Sequence, residues 1–212
     1  MYGYVKGYPL NSLWGFKYGG TWKSQDEIDR NKVTKTYVNT GNVVGGARYY
    51  DIDHNGVLDQ QDLIYQGNAD PYIYGGLQNN FYWKGLKLGV YFTYSLGGKI
   101  YNYSEFFMAG STFTNQYRYM SNAWHPVRNP NSDIPRAGAK TDAALASDFM
   151  IHDASYLRLK NINLSYTLDL HKTRVPVRDV TFTVSGENLY LWKKYNGFDP
   201  DVSSSGTSST LR

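Results

Sequence analysis

The sequence has no cysteine, few charged residues and no long apolar run. Without cysteine among its 212 residues, the chain has no disulfide scaffold, zinc–thiolate site or thiol nucleophile. Charged residues make up 19 %, and the net charge of +4 is dispersed rather than gathered into the basic stripe of a nucleic-acid-binding surface. Apolar runs of a few residues exclude membrane-spanning helices, which need roughly 20. The first residues, Met1 to Lys6, do not resemble a signal peptide.

Aromatic residues are abundant instead, at 17 % of the chain, and 21 of them are tyrosines. Disordered segments are poor in aromatics, so most of the chain is expected to be ordered. The mean hydropathy of −0.54 is that of a soluble protein. However, the alternating strands of a transmembrane β-barrel give a similar average, so composition leaves both classes open.

Alternation with a period of two residues is the dominant pattern and predicts β-strands. From Leu86 to Leu96 every second residue is apolar, while the residues between are polar or small. Similar alternation occurs over Ile162–Leu168 and Val180–Val184, with weaker signals over Tyr72–Trp83 and Trp14–Tyr18. About five strands are therefore expected.

The connections between these strands alternate between short and long. Lys84 and Gly85 form a tight turn, whereas residues 97–155 form a long connection, and the turn from Asp169 to Asp179 is again moderate. Outer-membrane barrels have short periplasmic turns and long extracellular loops, and aromatic residues near the strand ends fit their interfacial girdles. The sequence therefore predicts an all-β fold of antiparallel strands from a transmembrane β-barrel. A soluble β-sandwich is the alternative.

An acidic loop, residues 51–62, has the spacing of an EF-hand calcium loop. Alternate side chains of such a tightly wound loop converge on one centre, and Gly56 allows the turn. The predicted ligands are Asp51, Asp53, Asn55, the carbonyl of Val57, Asp59 and Asp62. Because Asp rather than Glu occupies the last position, the site is expected to tolerate Mg²⁺ as well as Ca²⁺. Its predicted role is structural.

The residue types that commonly act in catalysis do not form a recognisable catalytic motif in this sequence. The four histidines are far apart in the sequence and lie in no metal-binding or nucleophile motif. Glu105 and His152 are interpreted as solvated surface residues, as is His125. In the long connection, Tyr117, Tyr119 and Trp124 are candidates for contact with a substrate or partner, although they equally fit packing within the loop. The chain is therefore not expected to be an enzyme.

Several motifs resemble one known family. Residues 153–166 (DASYLRLKNINLSY) are similar to a signature of the SusC/RagA family of TonB-dependent outer-membrane transporters. Residues 185–189 and 195–201 resemble the closing region of the same family, and residues 75–81 resemble one of its strands. The motifs keep the family's order and cover most of the chain. The Ser-Tyr-Leu-Arg-Leu-Lys-Asn stretch is the specific one.

The resemblance implies that residues 1–212 are a C-terminal part of a plugged, large barrel, without the plug domain and with the acidic loop inside an extracellular loop. Transporters of this kind import glycans or other large nutrients through Bacteroidetes-type outer membranes. They are driven by the TonB complex and work with a SusD-like surface lipoprotein. The expected contacts of this segment are outer-membrane lipid, an oligosaccharide or peptide substrate and that lipoprotein. A secreted, calcium-stabilised carbohydrate-binding β-sandwich and a passive porin or adhesin barrel remain alternatives.

Overall fold

The computed structural model describes residues 2–3, 5–31, 33–35, 42–108, 115–136, 138, 147–171 and 176–201. The Ser-rich residues 203–212 lie outside this part of the chain. The described residues form two compact units, one within Met1–Ala69 and Lys99–His152 and the other within Asp70–Gly98 and Asp153–Val202. We call them the first unit and the second unit. Among the described residues, no helix combines the length and the apolar character needed to cross a membrane.

The elements are mostly short in the first unit and long in the second. The strands are β1 (Tyr2–Gly3), β2 (Ser12–Gly15), β3 (Tyr18–Thr21), β4 (Thr34–Lys35), β5 (Ala47–Tyr49), β6 (Val57–Leu58), β7 (Ile64–Asn68), β8 (Ile73–Trp83), β9 (Leu86–Leu96), β10 (Lys99–Tyr101), β11 (Ile151–Asp153), β12 (Tyr156–Asp169) and β13 (Asp179–Lys193). The helices are α1 (Gln25–Asn31) and α2 (Tyr103–Met108), with 3₁₀ turns at Gln60–Asp62 and Arg118–Asn122.

The second unit is a four-stranded antiparallel sheet with the order β13-β12-β9-β8. Strands β8 and β9 are joined by a two-residue turn in which Lys84 and Gly85 have φ angles of 43° and 84°. Positive φ at both positions is the backbone of a type I′ turn, whose twist matches that of the flanking strands. Leu86–Leu96, the strongest predicted strand, is confirmed with the same bounds.

A β-bulge interrupts the pairing of β12. Its register shifts between Leu159 and Asn161 relative to both neighbouring strands, so Lys160 is the extra residue against β9. An extra residue moves the following side chains to the other side of the sheet. Apolar residues therefore occupy odd positions at Leu157 and Leu159 but even positions from Ile162 onward, on one face.

This register gives the sheet an apolar face and a polar face. We use "apolar face" for Ile73, Leu77, Phe81, Trp83, Leu86, Leu88, Val90, Phe92, Tyr94, Leu96, Leu157, Leu159, Ile162, Leu164, Tyr166, Leu168, Val180, Phe182, Val184, Tyr190 and Trp192. Much of this face is exposed, for example Val184 at 72 % and Phe182 at 60 %. It is therefore not the inner layer of a sandwich.

The polar face lies on the other side of the same strands. Side-chain hydrogen bonds run across β12 and β13 there, joining the hydroxyls of Ser165 and Thr183 at 3.1 Å and those of Thr167 and Thr181 at 2.9 Å. Asn, Gln and Lys side chains of β8, β9 and β12 line a shallow hollow of about 210 Å³ on this face. Such a surface suits contact with water.

The first unit is built from short sheets around a small core. Strand β2 pairs with β1 and β7, β3 pairs with β5, and β4 pairs in parallel with β6. The core consists of Phe16, Ala47, Tyr49 and Leu58. The predicted strand over Trp14–Tyr18 is two separate strands here, because the chain leaves β2 at Gly15 and enters β3 at Tyr18.

Candidate functional site

The acidic loop brings three of its predicted ligands together. Carboxylate oxygens of Asp51, Asp53 and Asp62 all lie within 4.8 Å of one another. Oxygens that share a Ca²⁺ ion at 2.3–2.6 Å lie at most about 5 Å apart, so this spacing fits a single ion. His54 and Gly56 have φ angles of 61° and 81° and give the loop its tight curvature.

Asp62 lies at the base of the loop. Its side chain is fully buried, and its two oxygens accept hydrogen bonds from the backbone N–H groups of Ile52, at 2.7 Å, and Asp59, at 2.9 Å. These bonds tie the last position of the loop to its beginning. Three charged carboxylates at this distance repel one another, and a cation bound between them would relieve that repulsion.

Asp51 contributes an oxygen that has no assigned partner. Its Oδ2 accepts the N–H of Gly56 at 2.8 Å, whereas its Oδ1 is buried and has no hydrogen-bond donor among the described residues. Partial burial raises the pKa of this carboxyl, but the hydrogen bond from Gly56 and others in the loop outweigh it, and the net pKa is lowered. Asp51 is therefore poised as an anion with one oxygen available for a metal.

The other predicted ligands are occupied within the loop. The amide oxygen of Asn55 accepts the N–H of Val57 at 2.7 Å, and its amide nitrogen donates to Asp53 at 2.9 Å. Val57 belongs to β6, which pairs with β4. Asp59 caps the 3₁₀ turn by accepting the N–H of Gln61 at 2.7 Å. The structure thus places three carboxylates at the centre and uses the remaining residues to shape the loop.

The candidate contact residues of the long connection are partly engaged in internal packing. Tyr117 and Tyr119 stack with 5.7 Å between ring centroids. Tyr119 also donates its hydroxyl to Glu105 at 2.5 Å, and burial together with this bond raises its pKa. Trp124 lies against Gly45, whose φ of +79° places the backbone so close that a Cβ atom would overlap the indole ring.

The interpretation of Glu105 as a solvated surface residue is wrong, whereas its partner His152 is half-buried, with a side chain that is 31 % exposed. Glu105 is 5 % exposed, and one of its oxygens lies 2.6 Å from His152 Nε2. The same carboxylate accepts the hydroxyl of Tyr119 and the amide of Asn102. It is the centre of a buried polar network, and sequence reasoning missed it because the partners lie up to 47 residues away.

A second unpredicted feature is an ion pair inside the resembling motifs. Arg158 is 8 % exposed and donates to Asp199 Oδ1 at 2.6 Å, while Asp201 lies 3.8 Å away. Burial raises the pKa of Asp199, but the hydrogen bond from Arg158 outweighs it and holds that pKa below its ordinary value. The pair anchors residues 194–201 to the sheet. Its two partners lie in residues 153–166 and 195–201, which resemble motifs of the same family, and this resemblance was the signal in the sequence that pointed to both segments.

A further cluster, Asp169, His171 and Asp179, lies at the turn between β12 and β13. Asp169 and Asp179 are directly paired across the strands, and His171 Nδ1 lies 3.0 Å from Asp169. All three are exposed, so the cluster is a solvated arrangement in which the imidazole lies between two like charges.

Comparisons with known proteins place the chain within much longer receptors. No family model matches it. It is 33 % identical over 197 residues to "TonB-dependent receptor P26" of Formosa agariphila, covering 91 % of this chain and 19 % of the relative. It is 28 % identical over 162 residues to "TonB-dependent receptor SusC" of Bacteroides thetaiotaomicron, covering 74 % of this chain and 15 % of that protein. The chain therefore spans less than a fifth of these relatives.

Solved structures agree with the sequence comparisons. The structure of the RagAB peptide transporter matches with a TM-score of 0.68 and 25 % identity, over 92 % of this chain and 20 % of that chain. The predicted resemblance to a C-terminal SusC/RagA segment and the predicted antiparallel β-barrel strands are confirmed. These relatives are receptors and transporters rather than enzymes, which confirms the prediction that the chain is not an enzyme.

Proposed function

We propose that this chain, a C-terminal SusC/RagA-like segment, supplies wall strands and extracellular loops to a TonB-dependent importer in a Gram-negative outer membrane. The cargo is a glycan or another large nutrient, and the importer works with a SusD-like surface lipoprotein and the TonB complex. Relatives named as TonB-dependent receptors and the RagAB peptide importer support this role.

The exposed apolar face of the second unit is the observation that carries the proposal. Leu77, Phe81 and Val184 are 57 %, 59 % and 72 % exposed, although burying one such side chain is worth about 1.5–3 kcal/mol. In water, an exposed apolar surface of this extent would promote aggregation. In a membrane, acyl chains cover it, and the polar face lines a wet interior. This argument favours a barrel wall over a secreted carbohydrate-binding sandwich.

Aromatic residues at both ends of the strands support the same orientation. At the tight-turn end, the ammonium groups of Lys84 and Lys87 lie 5.4 and 5.5 Å from the ring centroids of Trp83 and Tyr82. At the long-connection end, the rings of β13 that lie nearest its last residue, Tyr190 and Trp192, pack at 4.6 Å. Two aromatic girdles of this kind mark the interfaces of a bilayer, with the long connections outside the cell.

Two matched substitutions in the full-length receptor test the wall assignment. Val90 belongs to the apolar face near the middle of β9, and Ser185 of β13, which pairs with Asn163, belongs to the opposite face at a similar depth. An arginine at the bilayer midplane costs about 2–4 kcal/mol, so Val90→Arg is expected to reduce the heat-modifiable, outer-membrane-assembled fraction. Ser185→Arg should assemble normally. Equal assembly of both variants would contradict the proposed lipid contact.

We further propose that the acidic loop holds a structural Ca²⁺ through Asp51, Asp53 and Asp62, with Asn55, the Val57 carbonyl and Asp59 completing the shell directly or through water. The buried Asp51 Oδ1 without a donor and the 4.8 Å spacing of the carboxylates support this assignment. Bound calcium would neutralise the acidic cluster and hold the loop closed.

The metal proposal is tested by thermal unfolding of the full-length receptor with calcium and with a chelator. Calcium should raise the melting temperature of the wild type, and Asp51→Ala with Asp53→Ala should abolish the shift. Substituting Asp29, an exposed acid of helix α1 outside the loop, is the control and should leave the shift intact. A wild-type melting temperature that calcium does not change would exclude a stabilising ion.

A further inference from the structure

A cavity in the first unit is lined by cationic and hydrogen-bond-donating groups. It has a volume of about 500 Å³ and lies among residues 120–129 together with Val44 and Arg136. This volume is within the usual range of small-ligand sites. No Asp or Glu lines it within the part of the chain that the structure describes. Asp133, which is close in sequence to the lining residues, pairs with Lys23 at 3.0 Å.

The two arginines of this cavity are available for a ligand. Arg128 and Arg136 are both exposed, and their guanidinium groups make no hydrogen bond or ion pair with any described residue. Their backbone N–H groups are used locally, by His125 Nδ1 at 3.2 Å and by the carbonyl of Gly45 at 2.8 Å. A guanidinium offers a planar fork of donors that matches a carboxylate.

His125 adds a third donor. Its Nδ1 accepts the backbone N–H groups of Val127 and Arg128, both at 3.2 Å. Because Nδ1 is an acceptor, the proton of the neutral imidazole is on Nε2, which is left as a donor. The Nε2 atom of the ring therefore carries an N–H group that can donate a hydrogen bond. Together with the two arginines, it gives the cavity several donors and no carboxylate among the described lining residues.

The remaining wall of the cavity is apolar, and its main chain is already paired. Trp124, Met120 and Val44 supply the apolar surface. The backbone of Trp124 bonds to Ile134 at 2.8 Å, and His125 and Asn129 bond to each other at 3.3 and 3.1 Å. A peptide bound in extended form needs free main-chain groups. A sugar ring needs an apolar wall and planar polar side chains, which this cavity offers.

We propose that this cavity binds a uronate residue of an acidic oligosaccharide, with Arg128 and Arg136 holding its carboxylate and Trp124 contacting its ring. The inference rests on the proposed importer function and names the class of its cargo. His125 donates to a ring hydroxyl. The receptor would thereby discriminate acidic from neutral oligosaccharides at its extracellular loops.

Calorimetric titration of the purified full-length receptor tests the proposal with defined probes. The probes are hexamers of galacturonate, glucuronate and mannuronate, the methyl ester of each as a neutral ligand of matched size, and hexaglutamate. At least one uronate should bind, with its ester weaker by about tenfold or more, because a charge-assisted hydrogen bond is worth that factor. The double variant Arg128→Gln with Arg136→Gln should lose about the same factor or more.

The control variant, Arg118→Gln with Arg178→Gln, removes the same charge outside the cavity and should bind within about twofold of wild type. Binding that is equal for ester and uronate, or equal in both double variants, would overturn the proposal. Absence of uronate binding would also overturn it, and hexaglutamate binding at the two arginines would assign the cavity to acidic peptides instead. Because none of these outcomes affects outer-membrane assembly, the proposed function is tested separately by the Val90 and Ser185 variants.

Discussion

Replacing Arg158 with Met is predicted to release residues 194–201 from the sheet while leaving the strands intact. Arg158 lies on the polar face and pairs with Thr93 of β9, so its long side chain reaches Asp199 on the segment after β13. Methionine keeps much of its length without the guanidinium. The substitution removes the ion-pair partner of Asp199 and Asp201, while the ammonium of Lys193 still binds the carbonyls of Gly197 and Phe198.

The size of the effect follows from how far the pair is buried. The side chain of Arg158 is 10 % exposed, whereas that of Asp199 is 38 % exposed. Breaking a fully buried pair costs about 3–5 kcal/mol, and an exposed pair is worth 0–1 kcal/mol. For this half-buried pair we expect about 1–2 kcal/mol, which corresponds to a roughly 5- to 30-fold higher population of the open segment.

Hydrogen–deuterium exchange of the full-length receptor measures this population. Peptides covering residues 194–201, including the Asp201 amide that donates to Asp199 at 2.9 Å, should exchange faster by that factor. Lys160→Met removes an exposed cation from the same strand and should leave the rate unchanged. Unchanged exchange in Arg158→Met, or an equal increase in both variants, would show that the ion pair does not anchor the segment.

Three further perturbations have expected outcomes. Because the pKa of Asp199 is lowered, its stabilising effect is complete above the ordinary Asp pKa of about 3.9 and is lost as the pH falls through the folded value. Cleavage of residues 194–201 by an acid-active protease should therefore rise only as the pH is lowered below about 3.9, and not at pH 5. Gly45→Ala should displace Trp124 and expose residues 115–136 to limited proteolysis, whereas Gly7→Ala, which also has positive φ but no atom within 4 Å of its added Cβ, should not. Glu105→Ala should lower the melting temperature, because the loss of a buried acceptor costs about 1–3 kcal/mol, and Glu105→Gln should lower it less.

The long strands of the second unit could be predicted because each lies between two different environments. Apolar and polar residues alternate from Leu86 to Leu96 because successive side chains point to the apolar face and to the polar face of the sheet. Strand β9 has the same bounds as this pattern. The signal for β8 was weaker, since Gly75 and Gly76 and two consecutive Asn residues dilute it. Pairing with β9 over its whole length stabilises β8 despite this weak local preference.

The remaining features depend on contacts between distant residues. Nothing near Glu105 in the sequence marks it as buried, because Glu105 lies in helix α2 and its partner His152 lies in strand β11, 47 residues away. In the acidic loop, spacing predicted which carboxylates converge. It could not predict that Asp59 would serve as a helix cap, because capping and metal binding favour the same residue type at that position.

The bulge at Lys160 divides β12 into two parts, residues 156–159 and residues 161–169. Both parts keep their apolar side chains on one face because the extra residue lies between them. Deleting Lys160 would restore simple alternation along the strand and turn Leu157 and Leu159 towards the side that carries Ser165 and Thr167. A single residue without a partner on β9 therefore gives the whole strand one continuous apolar surface.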